Sequence, residues 1–294
     1  MLDLTQTKKL AEIEAITRSV GWGAANILRS YYRGEVNQGN LAINEDKKDG
    51  PVTAADIAAN HYILTKLQAV FDTDTFGYLS EETHQGTDPI AKDWVWIIDP
   101  LDGTRDFIDK TGEYALHIAL AYQGRPVVAV VAIPEAEKLY FASKGHGTFV
   151  ETPDGTVNQI SVSDRNQVEN LCLVVSRTHR DDRFQALIEA LPLKDRLYMG
   201  SVGGKIATIL EKTSDVYISL SGKSAAKDWD FAAPELILTE AGGKFTHFNG
   251  DPLTYNRGDV RQWGGLLASN GHCHELLCQQ SLDILAKIDG KASK

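Results

Sequence analysis

Apolar positions along the chain change period several times, and each change predicts an element. Leu10, Ile13, Val20, Ala24, Ile27, Leu28 and Tyr31 recur at three- and four-residue steps, which predicts an amphipathic helix. Residues 34–50 are polar and broken by Gly, Asn and Asp, the composition of a loop. Thr53 and Asp56 then stand three apart, a capping-box pattern, and Ile57, Leu64 and Leu67 supply the face of the helix it opens. Residues 94–98 are a short unbroken apolar run, which predicts a strand covered on both faces. From Tyr114 the pattern predicts a meander of strands, with turns at Gln123–Pro126 and at Lys144-Gly145.

The turn-rich stretch 152–158 breaks this pattern. Beyond it, strand-like segments (170–179, 196–201, 214–222) alternate with helix-like ones (182–191, 202–212, 229–241), and Gly242-Gly243 stops the last helix. Such alternation predicts α/β layering. The turn-rich stretch is the expected domain boundary and divides the chain into halves at 1–155 and 156–294.

Composition narrows the function classes. A chain of 294 residues that is 43% hydrophobic can bury a sizeable core, and 24% charged residues argues against disorder. A net charge of −10 disfavours nucleic-acid polymers and anionic membranes as partners. A small anion stays compatible if a metal or a local basic cluster offsets the field. The cysteines, Cys172, Cys273 and Cys278, suit neither a disulfide framework nor a zinc site. The N-terminal segment carries charges throughout, and no apolar run reaches 18 residues, so a soluble cytoplasmic protein is expected.

The chemistry gathers where the 94–98 strand ends, in Asp99-Pro100-Leu101-Asp102-Gly103-Thr104. A strand end is a rigid mount for functional groups. Pro100 stiffens the turn and Gly103 permits close backbone approach. Two carboxylates beside a helix start would repel an anion unless a hard divalent cation such as Mg²⁺ joins them. The plain alternative is that both aspartates only shape the turn. The spacing fits neither an EF-hand, which needs alternating Asp and a later Glu, nor the aspartyl-phosphate motif D-x-D-G-T.

WIIDPLDGT resembles the W-x-I-D-P-x-D-G-T signature of the inositol monophosphatase superfamily of Mg²⁺-dependent, lithium-sensitive phosphomonoesterases. VTAAD (52–56), SEET (80–83) and WDFAAPELILTEAGG (229–243) resemble three further elements of that family in the family's order. The resemblance runs from about residue 50 to 270 and implies a layered αβαβα sandwich, with an N-terminal α+β half that carries the metals at its edge, a C-terminal α/β half, and the site between them. By this resemblance Glu81, Asp99, Asp102, Asp230 and the Leu101 carbonyl hold two or three Mg²⁺ ions. Asp56, Thr104 and Glu81 are then catalytic, Thr104 being oriented by Asp56, and the Gly103 and Thr104 N–H groups face the phosphate. Plain readings stand beside these. Asp230 can be a helix N-cap, Asp56 a capping-box member and Glu81 an exposed charge, while Asp228 and Glu82 read as solvated. The segment KKDGPVTAAD lacks a serine that many family members carry before the helix.

Within the superfamily, VVSRTH (174–179), GSVGGKIA (200–207) and Lys223 resemble the bacterial 3′(2′),5′-bisphosphate nucleotidase branch. That likeness implies hydrolysis of the 3′-phosphate of 3′-phosphoadenosine 5′-phosphate, a by-product of sulfate assimilation. The substrate-binding set would be Asp102, Gly103, Thr104, Ser176, His179, Ser201, Lys205, Lys223 and Asp230. Lys223 stands where inositol monophosphatases carry a Glu, and a cation there suits a second phosphate. As plain alternatives, Arg177, His179 and Arg180 form a solvated strand end and Lys223 is a surface lysine. The other reading is an inositol-1-monophosphatase with fructose-1,6-bisphosphatase side activity. Homodimers are common in the family.

Overall fold

In the computed structural model, which describes residues 4–36, 53–86, 88–177, 181–193 and 195–292, the apolar run after Asp93 is strand β2, Trp94–Asp102. Its neighbours are β1 (Phe76–Ser80), parallel to it, and β3 (Ala115–Tyr122), antiparallel. The meander continues through β4 (Arg125–Ile133), β5 (Lys138–Ser143), β6 (Thr148–Glu151) and β7 (Val157–Ile160). Together they form a seven-stranded sheet in sequence order. The turn-rich stretch after Glu151 is the hairpin between β6 and β7, closed by Thr152 N–H to Thr156 C=O at 3.1 Å. The chain therefore changes sheet later, between Ile160 and Cys172.

The second sheet has five strands in the order β11-β12-β10-β8-β9. These are β8 (Cys172–Val175), β9 (Asp195–Tyr198), β10 (Val216–Leu220), β11 (Lys244–His247) and β12 (Gly265–Ser269). The helices are α1 (Leu4–Tyr32), α2 (Ala54–Gln68), α3 (Thr104–Ile108), α4 (Asp182–Ala190), α5 (Val202–Leu210), α6 (Asp228–Glu240) and α7 (His274–Ala292). The strand β12 and the helix α7 lie beyond the elements that the pattern predicted.

Side-chain alternation explains the layering. Val95, Ile97, Ala119, Ala121, Ala129 and Val131 face α5 and α6. The intervening Trp96, Ile98, Ile118, Leu120, Val128 and Val130 face α1 and α2. The central strands β2, β3 and β4 thus bury both faces, and an unbroken apolar run is the result. The second sheet packs one face on α5 and α6 and the other on α4 and α7. The order of layers is α1/α2, first sheet, α5/α6, second sheet, α4/α7, the αβαβα sandwich expected. No helix among the described residues is long and apolar enough to cross a membrane. All three cysteines are free thiols.

Candidate active site

Parallel pairing of β1 and β2 brings their carboxyl ends side by side. Glu81 follows the last residue of β1, and its N–H donates to Ile98 C=O at 3.2 Å, which fixes it beside Asp99. Asp99 pairs with His117 and Asp102 with Ala115, so three steps on β2 match two on β3. The extra residue makes a bulge that turns the strand end inward. Gly103 follows at φ +84 and starts α3. A Cβ there would meet the Ser201 side chain at 3.1 Å and the Glu113 carbonyl at 3.2 Å, so both conformation and crowding demand glycine.

Two helix starts complete the ring. The capping box read from Thr53 and Asp56 is formed: Asp56 Oδ2 accepts from the Thr53 N–H at 2.8 Å and the Thr53 hydroxyl at 2.5 Å. The other oxygen, Oδ1, accepts from the Thr104 hydroxyl at 3.3 Å, and Thr104 also faces the Leu101 carbonyl at 3.1 Å. Asn60, one turn further along α2, accepts from Ser80 at 2.6 Å and ties that helix to β1. Asp230 lies in the first turn of α6, whose cap is Lys227; its Oδ2 accepts the Lys227 N–H at 2.6 Å. Asp228, expected to be solvated, is instead 1% exposed. It accepts from Asn256 N–H and Gln262 Nε2, each at 2.7 Å, and so anchors the 256–262 loop.

Electrostatics show the carboxylates acting on one another. Burial, reinforced by Asp230 and Glu82, pushes Glu81 up to about 8. Burial and the charges of Glu81, Asp102 and Asp230 push Asp99 well above the carboxylate range. Burial also raises Asp230 to about 6, against the pull of the Lys227 N–H. Asp56 rises to about 6 through burial, partly offset by Thr53. Asp102 alone is lowered: burial opposes its charge, but His117, Lys205 and the Gly203 N–H outweigh it. Such a cluster resists full ionisation at neutral pH unless a cation joins it.

That donor set of hard oxygens fits Mg²⁺ or a similar ion. The ring is looser than a coordination cage: among the described residues, no group of three or more His, Cys, Asp or Glu side chains is arranged to hold an ion. Local donors hold the carboxylates back. Asp99 Oδ1 takes the Leu101 N–H at 3.0 Å, Asp102 Oδ2 takes the Gly203 N–H at 2.7 Å, and Asp230 is held by Lys227.

The substrate-binding residues expected from the sequence divide. Ser176 follows the end of β8, half-buried. The Ser201 hydroxyl is 1% exposed and caps α5 by accepting the Gly204 N–H at 3.0 Å. Lys205 is 1% exposed, and its Nζ donates to the Gly200 and Ser201 carbonyls at 2.6 and 3.2 Å. Burial depresses that amine to about 8 although Asp102, Asp106 and Asp230 favour its charge. Both side chains are thus engaged by backbone groups at the start of α5. Lys223 is exposed on the loop before α6, and His179 lies outside the described residues.

His117 is a site neighbour that the motifs did not reveal. It is 0% exposed, with Nδ1 3.2 Å from the Trp229 carbonyl and Nε2 3.1 Å from Asp102 Oδ2. The Asp102 contact is close enough for charge attraction but not aligned as a hydrogen bond. A lone polar residue inside the apolar alternation of β3 was its signal.

The inositol monophosphatase family model matches residues 9–286. The chain belongs to the inositol monophosphatase family. Among curated family members, a 3′(2′),5′-bisphosphate nucleotidase CysQ of Salmonella typhimurium is 34% identical over 209 residues, 70% of this chain and 80% of that protein. The CysQ nucleotidase of Haemophilus influenzae is 28% identical over 240 residues, 81% of this chain and 85% of that one. Among solved structures, the extragenic suppressor protein SuhB of Bartonella henselae superposes with a TM-score of 0.76 at 24% identity, covering 92% of this chain and 98% of that one. An inositol monophosphatase from Anabaena gives 0.71 at 24% identity over 94% and 97%. At that identity the superpositions show the shared fold. The family is metal-dependent.

Proposed function

We propose that this protein is a Mg²⁺-dependent phosphomonoesterase that removes the 3′-phosphate of 3′-phosphoadenosine 5′-phosphate, giving AMP and phosphate. The observation that carries a phosphatase is the Thr104 hydroxyl, bonded to buried Asp56 at 3.3 Å, at the end of a strand lined by mutually repelling carboxylates. The likeness to CysQ nucleotidases over most of the chain supports the choice of ester.

Glu81, Asp99, Asp102, Asp230 and the Leu101 carbonyl would hold the cation, two or three ions in all. Bound there, Mg²⁺ supplies Lewis acidity and neutralises phosphate charge. The chain's own residues do the rest. Asp56 holds the Thr104 hydroxyl so that its oxygen can orient an incoming water toward phosphorus. Glu81, fixed beside Asp99 at the end of β1, would in its ionised form take the water's proton. The backbone N–H groups of Gly103 and Thr104 face the equatorial phosphate oxygens. Its substrate is a small phosphorylated metabolite.

The test is phosphate release with Mg²⁺ from 3′-phosphoadenosine 5′-phosphate, inositol 1-phosphate and fructose 1,6-bisphosphate. The nucleotide is expected to have the highest kcat/KM. A preference for the inositol ester would overturn the nucleotidase reading and leave the phosphatase.

A further inference from the structure

His117 is a fully buried polar ring in an otherwise apolar layer. It stands two residues before Ala119, on the face of β3 that packs on α5 and α6. A polar ring placed there costs stability unless its nitrogens find partners. Nδ1 lies 3.2 Å from the Trp229 carbonyl, which can only accept, so Nδ1 is the donor of that bond. With the ring fixed in this way, Nε2 stands 3.1 Å from Asp102 Oδ2.

The ring therefore spans two carriers of the proposed metal ligands. Asp102 ends β2, and Trp229 directly precedes Asp230 in the first turn of α6. The Asp102 charge reinforces burial in raising Asp230, which marks the two carboxyls as near neighbours. Asp102 Oδ2 also takes the Gly203 N–H at 2.7 Å. Both contacts fall on one oxygen, so they restrain the rotation of the carboxylate without engaging Oδ1. Helix α5 presses directly on the ring: a Cβ at Gly203 would meet His117 Nε2 at 2.5 Å, Ala115 at 2.8 Å and Val131 at 2.9 Å.

We infer that His117 is a positioning residue for the cation site: its ring ties the Asp102 carboxylate at the end of β2 to the start of α6, and so keeps Asp102 and Asp230 in the arrangement that a divalent cation requires. The inference rests on the metal-dependent reading above and adds the side chain that holds two of its ligands together. A carboxylate fixed before binding loses less freedom when the ion arrives, so the affinity for the ion rises. His117 acts through Asp102 and not on the ester.

The test is Mn²⁺ binding, read from the free-ion signal in electron paramagnetic resonance and so independent of turnover. His117→Asn keeps an amide donor at the place of Nδ1 for the Trp229 carbonyl and gives up the contact of Nε2 with Asp102. It should weaken Mn²⁺ binding roughly ten- to hundredfold, the range for a lost outer partner of a metal ligand. His117→Gln carries its amide nitrogen out to the place of Nε2 and should recover most of that affinity. In turnover assays the Asn variant should need correspondingly more Mg²⁺ for half its maximal rate, with KM for the nucleotide unchanged at saturating Mg²⁺. An Asn variant with wild-type Mn²⁺ affinity would overturn the inference, as would a Gln variant that binds no better than the Asn variant. Thermal unfolding in EDTA identifies a variant that has not folded. The wild-type ring then decides: its Nε2 signal in nitrogen NMR should shift when Mg²⁺ is added, and an unmoved signal would overturn the inference. A wild type that binds neither ion would overturn the metal-dependent reading and this inference with it.

Discussion

Replacing Glu81 by Gln should stabilise the metal-free protein while abolishing its activity. Burial and the neighbouring carboxylates hold Glu81 at about 8 in the folded state, against an ordinary 4.5. A carboxyl raised in this way gives its full stability below the unfolded value, and loses it as the pH rises toward the folded one. Each pH unit crossed costs about 1.4 kcal/mol. From 4.5 to pH 7 the loss is therefore on the order of 3 kcal/mol, and at pH 5 it is under about 1 kcal/mol. Gln has the same shape, can still bond to Asp99, and carries no charge to desolvate. For a chain of 294 residues, that difference corresponds to about 5 °C in Tm. The assay is thermal unfolding in EDTA at pH 5 and pH 7, with and without Mg²⁺. The variant should melt higher than wild type at pH 7, and the gap should shrink at pH 5. Added Mg²⁺ should raise the wild-type Tm more than the variant's. A Glu81→Gln protein that melts at or below wild type in EDTA at pH 7 would refute the argument that this site stores carboxylate repulsion.

Three further outcomes are expected. Thr104→Ala removes the hydroxyl held by Asp56 and should lower kcat by roughly two to three orders of magnitude, with Thr104→Ser restoring much of it in the same assay. Gly103→Ala places a side chain at φ +84 against Ser201 and the Glu113 carbonyl, and should cost about 1–3 kcal/mol in urea unfolding as well as activity. Dialysis against EDTA should abolish phosphate release, and titrating Mg²⁺ back should restore it; full turnover in EDTA would exclude the carboxylate ring as a metal site.

Much of the site was legible because it is local. The capping box at Thr53 and Asp56 needs only a three-residue spacing, and the DPLDGT turn needs only the end of an apolar run. Other contacts span the chain and left no local trace. Asp228 looked like a second, solvated charge next to Asp230, yet it is buried by a loop 28 to 34 residues further on. Lys205 has the charge of a phosphate-binding residue, but its amine folds back onto the two carbonyls just before its own helix. Arg177 resembled a solvated strand end until the fold set it against Glu113, 64 residues earlier.

The sequence by itself determined the layers and the acidic chemistry. Side-chain period sets which faces must be covered, and carboxylates at strand ends and helix starts restrict what can bind. The tertiary structure alone decided which charges meet. The parallel pairing of β1 with β2 and the bulge opposite His117 bring Glu81, Asp99 and Asp102 into one desolvated space. Their mutual repulsion, unlike a helix cap or a turn, depends on distances between segments that no local pattern encodes.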